Sequence, residues 1–253
     1  MPAGNAARLS AVIITKNAAS QLGESIASLD FVDEILVVDS GSTDGTRELA
    51  MSKGARVIER AWLGFGPQKQ FAVSQARNDW VVCIDADERV SPELRESILR
   101  ELANPRANVY EFPRRNKFMG RYLRHGEGYP DWSRRLFHRD HAMWSDDAVH
   151  EQVLTSERME RLSGDLLHDS AESLERYLEK QDRYTTLQAE RMVAAGERPS
   201  VARMLASPLV RFVKFYVFRL GFLDGVPGLV HIAIGCRNSF QKYAKARRRA
   251  RSV

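Results

Sequence analysis

Trp80-Val81-Val82-Cys83-Ile84-Asp85-Ala86-Asp87-Glu88 is the stretch that decides the fold. An apolar run without a polar interruption, rich in β-branched residues, reads as a parallel strand buried on both faces. It ends on a cluster of carboxylates. The same pattern recurs upstream, where Leu9 to Ile14, Ile35 to Val38 and Ala55 to Ile58 are further short apolar runs. Between them, residues 20–30, Thr46 to Lys53 and Gln68 to Ala76 read as helices. Pro92 to Leu102 follows as another, with Ser91 as its N-cap. Strands alternating with helices predict an α/β domain with a mostly parallel sheet, covered by helices on both faces. Ligands in such sheets gather at the carboxyl ends of the strands. Three polar clusters fall there: Thr15 with Asn17, Asp39 to Asp44, and Asp85 to Asp87.

The rest of the chain differs in kind. Residues 109–153 are rich in Arg and aromatics, with Gly and Pro breaks. Beyond Ser170 the spacing predicts helices over 174–195, 201–220 and 229–249. The expected organisation is a domain over 1–165, divided into a donor half (1–105) and an acceptor and catalytic half (106–165), then a helical region over 166–253. The 253 residues are 43% hydrophobic, enough for a sizeable core and against global disorder. Two distant cysteines, Cys83 and Cys236, predict no disulfide framework and a reducing compartment. Ala11 to Ile14 is too short for a signal h-region, and no run reaches the roughly 20 apolar residues of a spanning helix. The expected location is therefore cytoplasmic.

Two carboxylates one residue apart on a turn divide duties well. One ligates a divalent cation while the other accepts from a sugar hydroxyl, and oxygen ligands suit Mg²⁺ or Mn²⁺ bound to a diphosphate. In Asp39-Ser40-Gly41-Ser42-Thr43-Asp44-Gly45-Thr46, glycines such as Gly41 allow close backbone approach, and the following helix start offers free N–H groups. A carboxylate there suits the ring N–H of uracil, and Asp44 suits shaping of the loop. Lys69 suits the donor's negative charge.

In this order and spacing, Val12 to Asn17, Val37 to Thr46, Lys69 and Asp85 to Glu88 resemble the inverting family-2 glycosyltransferases over about residues 9–90. The resemblance implies a GT-A (Rossmann-like) fold with a helical C-terminal extension, and a UDP-sugar donor. It implies that Thr15, Asn17, Asp39, Asp44 and Lys69 line the nucleotide site, with Asp85 near the ribose and Asp87 on the metal. Many members have two adjacent acids where this chain has Asp39-Ser40. Pro130 to Phe137, Val149 to Val153, Lys214 to Tyr216 and Gly221 to Gly225 are similar to the bacterial lipopolysaccharide inner-core β-1,4-glucosyltransferases, which add glucose to the first heptose. Asp131 stands where family-2 enzymes place an acid before an Arg-Leu segment, which makes it the candidate general base. Glu151 and Glu127 are the fallbacks. His150 resembles the late histidine ligand of GT-A enzymes and is the candidate third metal ligand.

Residues 114–139 hold seven arginines and Lys117 against Glu127 and Asp131. Arg114, Arg115, Arg134 and Arg135, with Glu151, are the expected acceptor contacts. Arginines mixed with aromatics suit an acidic saccharide. No nucleic-acid-binding motif is present, so no nucleic-acid partner is expected. Leu209 to Phe222 interleaves aromatics with cations, and six more cations lie in 242–251. That pattern predicts a peripheral protein on an anionic membrane surface, with a lipid-linked acidic oligosaccharide as acceptor. A polyprenyl-phosphate or other cell-envelope sugar transferase shares the first half, and a catalytically silent nucleotide-sugar-binding scaffold is the competing class.

Overall fold

The computed structural model describes residues 7–147, 151–170 and 173–250. In chain order the elements are β1 (Leu9–Thr15), α1 (Ala19–Ala27), β2 (Glu34–Asp39), α2 (Thr46–Ser52), β3 (Arg56–Glu59), α3 (Phe65–Gln75) and β4 (Trp80–Asp85). There follow β5 (Glu88–Val90), α4 (Pro92–Ala103), β6 (Val109–Phe118), β7 (Arg121–Tyr122), β8 (Asp131–His138), β9 (Met143–Trp144), β10 (Val153–Leu154), β11 (Met159–Arg161) and β12 (Leu166–His168). The chain ends on α5 (Leu174–Ala194), α6 (Val201–Phe212), a π-helical segment Val213–Phe218, a short turn Gly221–Asp224 and α7 (Gly225–Arg249). Two compact units result: residues 1–114 with 131–168, and residues 115–130 with 169–253.

In the first unit the sheet runs β3-β2-β1-β4-β8-β6-β12-β5. β1, β2, β3 and β4 are parallel, as the apolar runs predict. Strand alternation feeds two cores, one on each face. Ala11, Ile13, Val37, Val82 and Ile84 pack with Leu22 and Ile26 of α1 and Leu94 and Ile98 of α4. Val12, Ile14, Leu36, Val38, Val81 and Cys83 pack with Ala72 and Val73 of α3. The period of two and the burial of both faces explain why these strands contain almost no polar residue. Ser91 caps α4 by accepting from Leu94 N–H at 3.2 Å.

The expectation of a mostly parallel sheet needs correction. β8 lies antiparallel to both β4 and β6, and β12 lies antiparallel to β5. β6 and β8 mix buried apolar residues with half-exposed Arg, Lys and His. Antiparallel strands tolerate such composition because one face can meet water.

The second unit is helical. Ser173 and Ser200 cap α5 and α6, accepting from Arg176 N–H at 3.3 Å and Arg203 N–H at 3.1 Å. The single helix expected over 201–220 is interrupted after Phe212. α7 begins at Gly225, four residues earlier than its sequence suggests. Pro227 falls in its first turn, where no intrahelical N–H donor is required.

Candidate active site

Register places the polar clusters together. Thr15 pairs with Asp39, and Ile14 pairs with both Val38 and Asp85, so β1, β2 and β4 end at one level. The first half of the site is a pair of interlocked loops. Asp39 is fully buried. It accepts from Gly41 N–H at 3.1 Å and Ser42 N–H at 2.9 Å, and takes a short hydrogen bond from the Ser42 hydroxyl. Asn17, at φ 52°, donates its N–H to Ser42 Oγ at 2.8 Å and accepts from Thr43 N–H at 2.9 Å. Asp44 accepts from Thr46 N–H and from Ala19 N–H, each at 3.1 Å. The Thr46 hydroxyl and these N–H groups hold its carboxyl below the usual range. Asp39 and Asp44 thus both shape the loop, a duty the sequence reading reserved for Asp44. Gly41, at φ 85°, has open space where a Cβ would stand. Thr15 Oγ1 and Gln68 Oε1 are buried without a hydrogen-bond partner, a polarity that a ligand's donors would satisfy.

The second half is a network of charge. Lys69 is buried on α3, with Nζ 3.0 Å from Asp85 Oδ1 and 2.7 Å from Glu151 Oε1. Arg135 reaches Asp85 Oδ2 at 3.1 Å and Glu88 Oε1 at 3.5 Å. Glu88 also accepts from Asp85 N–H at 2.8 Å and lies 3.6 Å from Arg114. Arg114 in turn donates Nε and Nη2 to Asp131 Oδ2 at 3.0 and 2.8 Å. Burial pushes the Asp85 carboxyl up, but Arg135 and Lys69 outweigh it and hold it well below the ordinary carboxylate range. Burial pulls Arg135 down, and Glu88 and Asp85 more than restore it. The Trp144 ring closes the cluster, 4.8 Å from Lys69 Nζ and 5.4 Å from the Arg135 guanidinium. Arg135 Nη1 is buried with no partner among the described residues. The cluster therefore pairs three cations with four carboxylates and keeps one guanidinium N–H donor available, which suits a phosphoryl oxygen.

Asp87 stands apart from this cage, with one oxygen 3.3 Å from His168 Nε2. Burial lowers the His168 pKa, and the hydrogen bond and charge of Asp87 raise it above the ordinary value. Among the described residues no three metal-binding side chains cluster. The carboxylate and imidazole fit a hard divalent cation that takes its remaining ligands from diphosphate and water. Asp85 does not fit as a third ligand, because its oxygens face Lys69 and Arg135. His150 lies outside the described residues.

The remaining expected residues separate. Arg134 donates to the Val153 carbonyl at 3.1 Å. Glu151 is a partner of Lys69 rather than a free carboxylate. Arg115 belongs to the helical unit, 5.6 Å over the Tyr129 ring. Glu127 belongs there too and is ion-paired to Arg211. Glu88, His168 and Trp144 were missed as site residues. Glu88 was legible as the third acid after β4. His168 and Trp144 carried no local signal: His168 arrives by the pairing of β12 with β5, opposite Glu88, and Trp144 lies on the short β9–β10 ribbon.

The comparisons with known proteins give the class of this chain, a glycosyltransferase. The sequence matches Glycosyl transferase family 2 over residues 10–155. The chain belongs to that family, and its fold is of the GT-A kind. The lipopolysaccharide core biosynthesis glycosyltransferase LpsC of Rhizobium meliloti is 32% identical, over 94% of each chain. An uncharacterized glycosyltransferase of Rickettsia bellii is 31% identical, over 95% of this chain and 86% of that one. Among solved structures, Staphylococcus aureus TarS 1–349 is 16% identical over 97% of this chain and 91% of that one, with a TM-score of 0.49.

Proposed function

We propose that this transferase moves a hexose, glucose from UDP-glucose, with inversion onto a heptose of the lipopolysaccharide inner core. It would work at the inner face of the cytoplasmic membrane, on a lipid-linked acceptor. One observation carries the reading: the Lys69–Asp85–Arg135–Glu88–Arg114–Asp131 network, at the carboxyl end of β4 and the amino end of β8, joins buried cations to a positioned carboxylate. The LpsC relative's part in lipopolysaccharide core biosynthesis supports the acceptor class.

Inversion is a single displacement at the anomeric carbon. Asp131 takes the proton from the acceptor hydroxyl, and Arg114 fixes its orientation. Lys69 and Arg135 face the negative charge that grows on the leaving diphosphate. The interlocked Thr15–Asn17 and Asp39–Thr46 loops hold the nucleoside. Asp87 and His168 would hold Mg²⁺ or Mn²⁺, which when bound neutralises the diphosphate.

The test incubates purified protein with a panel of nucleotide sugars, with Mn²⁺ or Mg²⁺, and with delipidated core oligosaccharide ending in heptose. Mass spectrometry should show one added hexose from UDP-glucose, and NMR should show the β anomer. EDTA should remove the activity. Transfer to polyprenyl phosphate with none to heptose would replace the acceptor, and donor binding without transfer to any acceptor would make the chain a scaffold.

A further inference from the structure

The helical unit carries a surface that the transfer chemistry does not use. Neither α6 nor the π-helical segment Val213–Phe218 contains a buried residue. Leu209, Val210, Phe218, Phe222, Leu223 and Val226 are each 46–78% exposed. Scattered exposed apolar side chains are ordinary, whereas a run concentrated in one short segment marks an interaction surface.

The polar groups that would oppose burial of this segment in an apolar medium already have partners. Arg211 donates Nε to Glu127 at 2.9 Å. Gly235 makes this possible, since a Cβ there would stand 2.3 Å from Glu127 Oε2. Arg219 donates to the Tyr129 carbonyl at 3.0 Å. Asp224 is 1% exposed and accepts from Arg124 N–H at 3.0 Å and His125 N–H at 2.8 Å. Ser207 and Ser239 hydrogen-bond each other at 2.5 Å, and Cys236 donates to the Pro208 carbonyl at 3.3 Å.

Shape and charge select the occupant. No single described helix is long and apolar enough to cross a membrane, but Val201–Phe218 and Gly221–Arg249 form a pair bent by 74°. Leu220, at φ 54°, sits in the break. Phe212, Tyr216 and Phe222 cluster beside it, with ring centroids 4.9 and 6.0 Å apart along the chain of contacts, as aromatics do at membrane interfaces. From Val201 to the last residue Asp224 is the only acid, set against eleven Lys and Arg. A complementary partner must therefore be apolar and anionic together, which describes acyl chains beneath acidic headgroups.

We propose that the bent helix pair is a monotopic anchor, inserting its apex, Phe218 to Val226, into one leaflet of an anionic bilayer. Lys214 and Arg219 lie at headgroup level. The proposal deepens the membrane location proposed above, but it rests on this unit's own surface.

The test uses the full-length protein and sucrose-loaded vesicles of phosphatidylcholine, with or without phosphatidylglycerol. Sedimentation should show binding to the anionic vesicles that survives about 0.5 M NaCl, where exposed charges are screened beyond a few ångströms. F218E and V226E should each lower the partition coefficient by roughly tenfold or more, since removing a large buried apolar side chain costs at least that factor. Both should still transfer sugar to the delipidated acceptor. In F218W, lipids brominated on the acyl chain should quench fluorescence that the parent does not show. Parental partitioning of both Glu variants overturns the proposal, and so does complete release by salt. A parental dimer that F218E splits without changing vesicle binding would assign the surface to a second copy instead. Vesicle insertion by a protein that transfers no sugar would sink the function and leave the anchor standing.

Discussion

Two clusters of carboxylates end β2 and β4, the strands on either side of β1, and they are held in opposite ways. Asp39 and Asp44 are bound by N–H and hydroxyl groups of their own and the adjoining loop. Asp85 and Glu88 are bound by Lys69, Arg135 and Arg114, cations that arrive from α3, β8 and β6. The first arrangement is held mainly by hydrogen bonds within the loops, which suits it to receiving a flat base by shape and hydrogen bonding. The second gathers buried charge, which is costly unless fully paired and offers a strong field to a multiply charged diphosphate. Asp87 belongs to neither, and its separation from the cage is what suits it to a cation.

The largest effect tests that separation. Asp87→Ala should abolish transfer while leaving the melting transition close to parental, because Asp87 is paired only with His168 among the described contacts. Activity of the purified, folded variant near the parental level would return the residue to a capping role. The buried cage comes next. Arg135→Leu strands Asp85 and Glu88 without their shared cation, and breaking a buried pair on one side costs roughly 3–5 kcal/mol. Urea denaturation should show that loss, and a shift below about 1 kcal/mol would mean the network behaves as a solvated surface.

Asp131→Asn should leave UDP binding intact and cut turnover by roughly 100-fold or more, the scale of a lost general base. Parental turnover would move the base to another acid, with Glu151 the first to examine. Asp39→Ala is a finer probe, since it removes the acceptor of three hydrogen bonds within the turn. It should cost stability and UDP affinity together, each on the order of 1–3 kcal/mol. Calorimetric titration showing lost affinity at unchanged stability would mean that Asp39 meets the base directly and that the turn survives without it.

The smallest effect concerns a control cluster at the amino ends of β1 and β2, away from the site. Burial pushes the Glu34 carboxyl up, but the Ser10 hydroxyl, Arg77 N–H and Arg56 outweigh this and leave it below its ordinary value. A depressed folded-state pKa stabilises above the unfolded value, and that stability is lost as pH falls through the folded value. Glu34→Gln should therefore narrow the stability difference between neutral and acidic pH, with the gap closing below the ordinary carboxylate range. An unchanged slope of stability against pH would show that Glu34 is not differentially stabilised.

The sequence alone determined the parallel half of the sheet. Leu9 to Ile14 and Trp80 to Ile84 are buried on both faces, so nearly every residue but the hydrogen-bonded Ser10 is apolar and the runs stood out. It also determined which residues end those strands, because a strand that leaves the core must change to polar residues where the chain meets water. Lys69, Asp85, Arg114, Asp131 and Arg135 were all named from pattern and resemblance. Their mutual distances were not legible, since Lys69 and Arg135 are 66 positions apart in the chain and meet only because β8 lies against β4 in antiparallel register. That antiparallel pairing was not legible for the same reason: a mixed polar strand has no local mark of its direction. His168 and Trp144 come to the site through β12 and β9, strands of three and two residues, too short for any period to show. From Val201 onward the chain gave its composition in the sequence, apolar and cationic with one acid. Only the folded structure decided that Asp224 is buried, that Arg211 bonds to Glu127, and that the apolar side chains between them face outward, because burial depends on which surfaces meet and not on which residues are adjacent in the chain.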